Sequence, residues 1–133
     1  AQIGAPLGHD FCALNLSDNL KPWELIEKRL LLALEADFAM ALYNPRSKSR
    51  PEGFEKVLTI LKNKCSEDRS IVFARAISTP EERIKITTLA LAKPEMADMQ
   101  TIVILGSSQT KVLSQNGKIF AYTPRHSKFG LSN

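Results

Sequence analysis

Phe38-Ala39-Met40-Ala41-Leu42-Tyr43-Asn44-Pro45-Arg46-Ser47-Lys48-Ser49-Arg50 is the stretch whose reading decides the fold. It opens as a short apolar run of the length and type of a buried strand. It breaks at Asn44-Pro45 and continues as a hydroxyl-rich basic loop. In open α/β sheets ligands bind where a strand ends and its loop begins. Tyr43 and Asn44 stand at that change of character, with Arg46, Ser47, Lys48 and Arg50 just beyond. The plain alternative is a strand followed by a solvated basic loop.

The elements on either side decide what sheet this strand belongs to. Upstream, Phe11 to Leu16 reads as a strand and Ser17-Asp18-Asn19 as a turn. Pro22 suits the first position of a helix. Trp23, Ile26, Leu30 and Ala33 then recur at helical spacing, with Leu34 alongside, so a helix is expected from Pro22 to about Glu35. Downstream, Phe54, Val57, Leu58 and Leu61 mark a second helix from about Pro51 to Asn63. Ser70 to Arg75 is a buried-strand pattern, and Ile84 to Thr87 alternates as a further strand. Between them Thr79 is placed to cap a single helical turn begun by Pro80. Leu89 to Ala92 fits neither period, Pro94-Glu95-Met96 suits a short helical turn, and Thr101 to Leu105 is another buried strand stopped by Gly106. Thr110 to Tyr122 reads as a hairpin turning at Gln115-Asn116-Gly117, because Asn-Gly is a strong hairpin signal. Gly4 to Asp10 reads as a loop from its Gly and Pro content. The order implies an α/β domain: a mixed sheet flanked by helices, antiparallel at one edge.

Length and composition bound the rest. The chain has 133 residues, enough for one domain with its own core. With 44% hydrophobic and 24% charged residues it has the make-up of an ordinary globular domain. No run is long and apolar enough to cross a membrane, and no basic-then-apolar leader is visible. Cys12 and Cys65 lie in no metal-like spacing and are expected as free thiols in a reducing, cytoplasmic setting, Cys12 as a small core residue. The first residue is Ala1, and Ala1 to Pro6 reads as the middle of a longer chain. The net charge of +4 is concentrated in two acid-free segments, 46–50 and 111–128. That suits a partner bearing several negative charges. Nucleic acid is disfavoured as that partner, because aromatics for base stacking and a nucleic-acid motif are both missing.

Few residues announce chemistry. His9-Asp10 pairs the usual neutral-pH proton carrier with an acid, although adjacent residues rarely hold each other in a catalytic geometry. His126 is far away in a polar tail, and two distant histidines make no metal site, so no metal is expected. Ser107-Ser108 lacks the flanking glycines of a nucleophile elbow, and neither Gly-rich phosphate fingerprint is present. Thr87-Thr88 offers hydroxyls to a ligand or simply ends a strand. Arg75 ends an apolar strand and needs either a ligand carboxylate or an ion pair with Glu81 or Glu82. The residues alone thus give an α/β domain with ligand loops at 4–10, 43–50 and 75–80, and no named reaction.

Three stretches together go further. They are Gly4-Ala5-Pro6-Leu7-Gly8-His9-Asp10-Phe11-Cys12-Ala13 with Leu16-Ser17-Asp18 and Pro22-Trp23-Glu24; Ala41-Leu42-Tyr43-Asn44-Pro45-Arg46-Ser47; and Gly106-Ser107-Ser108-Gln109-Thr110 with Tyr122-Thr123-Pro124-Arg125. In combination they resemble the tetrapyrrole methylase family of cobalamin biosynthesis, in the subgroup that methylates carbon 17 of a precorrin-3-type ring with ring contraction. The resemblance implies S-adenosylmethionine as cofactor, a homodimer, and two α/β domains with the cofactor between them. The Gly-x-Gly-Pro-Gly and Gly-Gly-Asp loops of the N-terminal domain do not occur here. The chain is therefore expected to be the C-terminal domain at 11–124, with an interdomain lead-in at 1–10 and a loose tail at 125–133, lacking its N-terminal partner domain and inactive alone. The resemblance further implies cofactor contacts at Leu42, Tyr43 and Asn44, at Arg75, Ala76 and Ile77, and at Thr87 and Thr88. Arg46 and Ser47 would face the tetrapyrrole, and His9 or Asp10 is the implied acid–base group. The subgroup pattern at the second segment is Arg-Asn-Ala-Gly, from which Ala76, Ile77 and Ser78 depart. The alternatives from other classes are a small basic nucleic-acid-binding module and a dimerisation module.

Overall fold

The computed structural model describes residues 4–5, 7–45, 52–115 and 118–123. A five-stranded mixed sheet forms the body of the domain. Its strands are β2 (Phe11–Asn15), β3 (Ala39–Tyr43), β4 (Ser70–Arg75), β5 (Arg83–Thr88) and β6 (Thr101–Leu105), in the order β2-β3-β6-β4-β5. β2 and β3 are parallel, and every other neighbouring pair is antiparallel. The parallel pair needs a crossover, and α1 (Trp23–Glu35) supplies it. α2 (Gly53–Lys64) carries the chain from β3 to β4.

Both helices form where the apolar stripes require them. α1 buries Ile26, Leu30 and Ala33, and α2 buries Phe54, Val57, Leu58 and Leu61. Pro22 takes the N-cap place of α1 rather than the first helical turn, with extended ψ of 151°, and Trp23 starts the helix. α1 ends in a Schellman motif. The Phe38 amide donates to the Ala33 carbonyl and the Asp37 amide to that of Leu34, with Asp37 left-handed at φ 60°.

Register divides the sheet residues between two faces. Met40, Leu42, Val103, Leu105, Ile71 and Phe73 share one face and join the helix stripes in a single core. Phe54 meets Phe73 edge-to-face at 6.1 Å. The opposite face carries Phe11, Ala41, Tyr43, Ile102, Val72 and Ile84. Of these, Phe11, Tyr43 and Ile102 are exposed.

Other sequence expectations are corrected or completed by the structure. The lead-in is not all loop: Gly4–Ala5 (β1) pairs in parallel with β8 (Lys118–Tyr122), which forms a hairpin with β7 (Lys111–Gln115). That hairpin turns between Gln115 and Lys118 as its register requires, and 116–117 lie outside the described residues. Pro80 starts no helix; Thr79 instead closes a tight turn, its hydroxyl donating to the Ala76 carbonyl and accepting from the Glu81 amide. Leu89–Leu91 becomes a turn of 3-10 helix, like Pro94–Met96. Cys12 is half-buried against the core rather than within it, and both cysteines are free. Burial pushes both thiols up; beside Cys65 the Arg69 charge works downward and the Asp37 charge upward. Among the described residues no helix is long and apolar enough to cross a membrane.

Candidate ligand-binding site

The sheet brings three strand-end segments to one end. β2 and β3 both end there, at Asn15 and Tyr43. Leu42 faces Val103, so Tyr43 lies beside Ile102 near the start of β6. β4 ends at the same end, where Arg75 is level with Thr101 and Arg83. Tyr43 (40% exposed) and Ile102 (43%) present their side chains at this end, Ile77 (43%) follows the end of β4, and Ala74 is buried. An aromatic face beside apolar side chains suits a flat, partly apolar ligand.

Backbone geometry sets this end apart. Asn44 (φ 54°), Ala76 (φ 50°) and Ser78 (φ 65°) are all left-handed. Such conformations cost energy outside glycine and cluster where surrounding contacts hold a functional loop. Those contacts are present. Asn44 Nδ2 donates to Asn15 Oδ1 at 3.0 Å, and the same oxygen accepts the Ser17 amide. The Ala76 amide donates to the Gln100 carbonyl, and the Ser78 amide to Glu82 Oε1 at 2.9 Å. Asn and Gly are the residues that tolerate φ > 0 most readily. This chain adopts that geometry with Ala76 and Ser78. Replacing Ser78 by Gly removes a left-handed cost of about 1–2 kcal/mol and adds unfolded-chain entropy of about 0.5–1 kcal/mol. The expected net is a gain of about 0.5–1 kcal/mol, read as a higher urea midpoint with unchanged slope. A lower midpoint would show that the φ at this position is no burden.

Arg75 is not available to a ligand in the way a free guanidinium would be. Its Nε donates to Asp98 Oδ2 at 2.5 Å, so the expected partner Glu81 or Glu82 is corrected to Asp98. Asp98 Oδ1 accepts from the Gln100 amide and the Thr101 hydroxyl, both at 2.9 Å. Burial pushes the Asp98 carboxyl up, but these hydrogen bonds and the Arg75 charge outweigh it and hold its pKa below the usual carboxylate value.

The remaining sequence-derived residues fall elsewhere. Leu42 is fully buried in the core, which closes its side chain to any ligand. Thr87 and Thr88 lie level with Ile71 and Ser70, at the other end of the sheet from Arg75. That is a strand length of about 17 Å from Arg83. His9 and Asp10 are also at that far end, before β2, lining a hollow of about 280 Å³ with Asp37, Ser107 and Gln109. They are separated from Thr87–Thr88 by the width of the sheet. Arg46 and Ser47, with Lys48 and Arg50, lie outside the described residues. Among the described residues no three His, Cys, Asp or Glu side chains are grouped to hold a metal ion. The sequence reading passed over Asn15, Asp98 and Ile102. Ile102 had a signal, the alternation of Thr101, Val103 and Leu105 inward against Ile102 outward; Asn15 and Asp98 gain their roles only through pairings distant in sequence.

Known proteins match this arrangement. Residues 1–92 match the family model of the Tetrapyrrole (Corrin/Porphyrin) Methylases. The Precorrin-3B C(17)-methyltransferase of a Sinorhizobium species is 49% identical over 126 residues, covering 94% of this chain and 50% of that protein. A Probable cobalt-factor III C(17)-methyltransferase of Methanocaldococcus jannaschii is 41% identical over 132 residues, covering 94% of this chain and 51% of that protein. The crystal structure of the methyltransferase CobJ superposes with a TM-score of 0.84 at 56% identity, over 92% of this chain and 49% of that one. The chain thus spans about half the length of these relatives. It belongs to the tetrapyrrole methylase family.

Proposed function

We propose that this chain supplies one half of the active cleft of an S-adenosylmethionine-dependent methyltransferase. Its substrate is a precorrin-3-type tetrapyrrole, methylated at carbon 17 with ring contraction in cobalamin biosynthesis. The observation that carries the reading is the placement of Tyr43, Asn44, Ala76 and Ile77 at the same end of the sheet, after β3 and β4. It is supported by relatives named for methylation at that carbon in the Sinorhizobium and Methanocaldococcus proteins. The same reading expects a cytoplasmic homodimer whose N-terminal domain closes the cleft.

The residues here fit such a cofactor through the exposed Tyr43 ring, Ile102 and Ile77, and through main chain held at left-handed φ. When bound, the cofactor supplies an electrophilic sulfonium methyl group to the ring carbon. Displacement at carbon is in line, so the protein's main task is to align the two reactants. Tyr43 and Ile77 exclude water from the apolar side, while the Asn44–Asn15 and Ser78–Glu82 hydrogen bonds fix the loops. Arg46 and Ser47 follow Asn44-Pro45 in sequence and are proposed to meet the carboxylates of the macrocycle. Thr87 and Thr88 stand outside this half-site, and His9 or Asp10 is retained as an acid–base group only for a cleft completed by the other domain.

Amide NMR titration of the chain with S-adenosylhomocysteine tests the reading. Saturable shifts are expected at Tyr43, Asn44, Ala76 and Ile77, weakened about tenfold by Tyr43→Ala, the scale of losing one well-packed aromatic contact. Shifts centred on Thr87–Thr88 or His9–Asp10 instead would overturn the assignment. Methyl transfer at an intact enzyme's rate by this chain alone would overturn the half-cleft itself.

A further inference from the structure

A second hollow, of about 350 Å³, lies on the helix-covered side of the β4–β5 edge. Half-buried Met96 gives it an apolar floor; Phe73 also borders it but is only 3% exposed. Arg83 is directly opposite Arg75 across the strands, and Lys85 directly opposite Phe73, so all four project to the same face. Like charges opposite each other destabilise a strand pair. Here Asp98 neutralises Arg75, and of the three cations lining this hollow Arg83 and Lys85 are the two with no hydrogen-bond or ion-pair partner among the described residues. Glu95 stands on the lining contributed by the crossing segment before β6. Lysine and arginine on an edge strand also keep sheets from pairing edge to edge. That role calls for charge alone, and does not require two unpaired cations above an apolar floor in a hollow of small-ligand size.

We propose that this hollow is a subsite for one pyrrole ring of the tetrapyrrole together with its two carboxylate arms. The ring face lies on Met96, one arm meets the Arg83 guanidinium as a two-pronged hydrogen-bonded pair, and the other meets the Lys85 ammonium. This deepens the methyltransferase reading and rests on it for the identity of the ligand. It also gives β5 a part in substrate binding that Thr87 and Thr88 do not supply.

Porphobilinogen, a single pyrrole with one acetate and one propionate arm, is the probe. Its aminomethyl group adds a cation that Glu95 is placed to receive. Titrated into the chain and followed by amide NMR, it is expected to give saturable shifts at Arg83, Lys85 and Met96. A ligand of about 16 non-hydrogen atoms should bind with a dissociation constant of about 1 mM. Arg83→Ala with Lys85→Ala should weaken it at least about tenfold, and Arg83→Lys, which keeps the charge and loses the planar fork, about threefold. Raising the salt should weaken wild-type binding, because the cations are exposed. Both positions are on a solvent-facing edge, and retained spectral dispersion in the variants establishes that they are folded. Absence of saturable shifts at these residues, or binding unchanged in the double variant, overturns the subsite. The S-adenosylhomocysteine titration is separate. If it succeeds and porphobilinogen fails, the subsite falls and the methyltransferase reading stands. If porphobilinogen binds as described and S-adenosylhomocysteine does not, the cation pair remains a site for such carboxylates and the cofactor half-site falls.

Discussion

Gly106→Ala is expected to destabilise the domain by about 3 kcal/mol. A Cβ at this position would stand 2.6 Å from Thr110 Cβ and 2.7 Å from Thr110 Oγ1. Thr110 Cβ moves only with its backbone, and turning the side chain about χ1 leaves that closest contact in place. Thr110 is also tied in place. Its hydroxyl accepts the Ser107 amide at 2.9 Å and pairs with the Thr123 hydroxyl at 2.6 Å. Its amide donates to the Ser107 carbonyl. Gly106 is held equally firmly: its amide donates to the Ser70 carbonyl, and its carbonyl accepts from Arg69. Overpacking costs about 1–3 kcal/mol, and each hydrogen bond broken as Thr110 retreats adds about 1 kcal/mol. For a domain of this size the sum corresponds to a fall in Tm of about 10 °C. A fall under about 2 °C would show that the loop adapts freely and that the glycine is not a packing requirement. The same loop reaches across to Asp37, whose carboxylate accepts both the amide and the hydroxyl of Ser108. The Gly-Ser-Ser-Gln-Thr stretch is therefore a structural clasp between β6, the end of α1 and the terminal hairpin.

Phe54→Ala should cost about 3–5 kcal/mol, the range for deleting a fully buried aromatic side chain. Phe54 is wholly buried in the first turn of α2 and meets Phe73 with ring planes at 88°. Truncation removes that contact and leaves a cavity which the sheet, hydrogen-bonded on both sides of β4, cannot collapse to fill. Against a typical total of about 5–15 kcal/mol, a substantial fraction of molecules would be unfolded at moderate urea. Phe54→Leu keeps most of the volume and should lose less than half as much. Chemical denaturation of both variants checks this, and equal losses would argue against cavity formation as the cause. Phe54 also anchors the chain just after the 46–51 segment, so its loss should weaken ligand binding at Tyr43 and Asn44 along with stability.

Local pattern carried the sequence reading a long way. Ser70 to Arg75 and Thr101 to Leu105 are strands with the bounds their apolar runs implied. The α2 stripe of Phe54, Val57, Leu58 and Leu61 is buried as its spacing demanded. The three motif stretches were enough to point to the tetrapyrrole methylases, and the family match bears that out. These features are legible because they depend on residues a few positions apart: helical period, strand alternation, and turn-forming Gly, Pro and Asn.

What only the tertiary structure decided is which strand ends meet. The order β2-β3-β6-β4-β5 puts Asn44 and Ala76 at one end of the sheet, and sends Thr87, Thr88, His9 and Asp10 to the other. It gives Arg75 to Asp98, 23 positions away, rather than to the nearby Glu81 or Glu82. It draws Gly4–Ala5 out of an apparent loop and onto β8. Nothing in the local periodicity distinguishes a parallel from an antiparallel neighbour, or one antiparallel partner from another. Those choices follow from long-range register, which sets each residue's face and end together and is fixed only when the whole core closes. The sequence by itself therefore determined the main helices and strands and the family. The fold decided which of their residues can share a ligand.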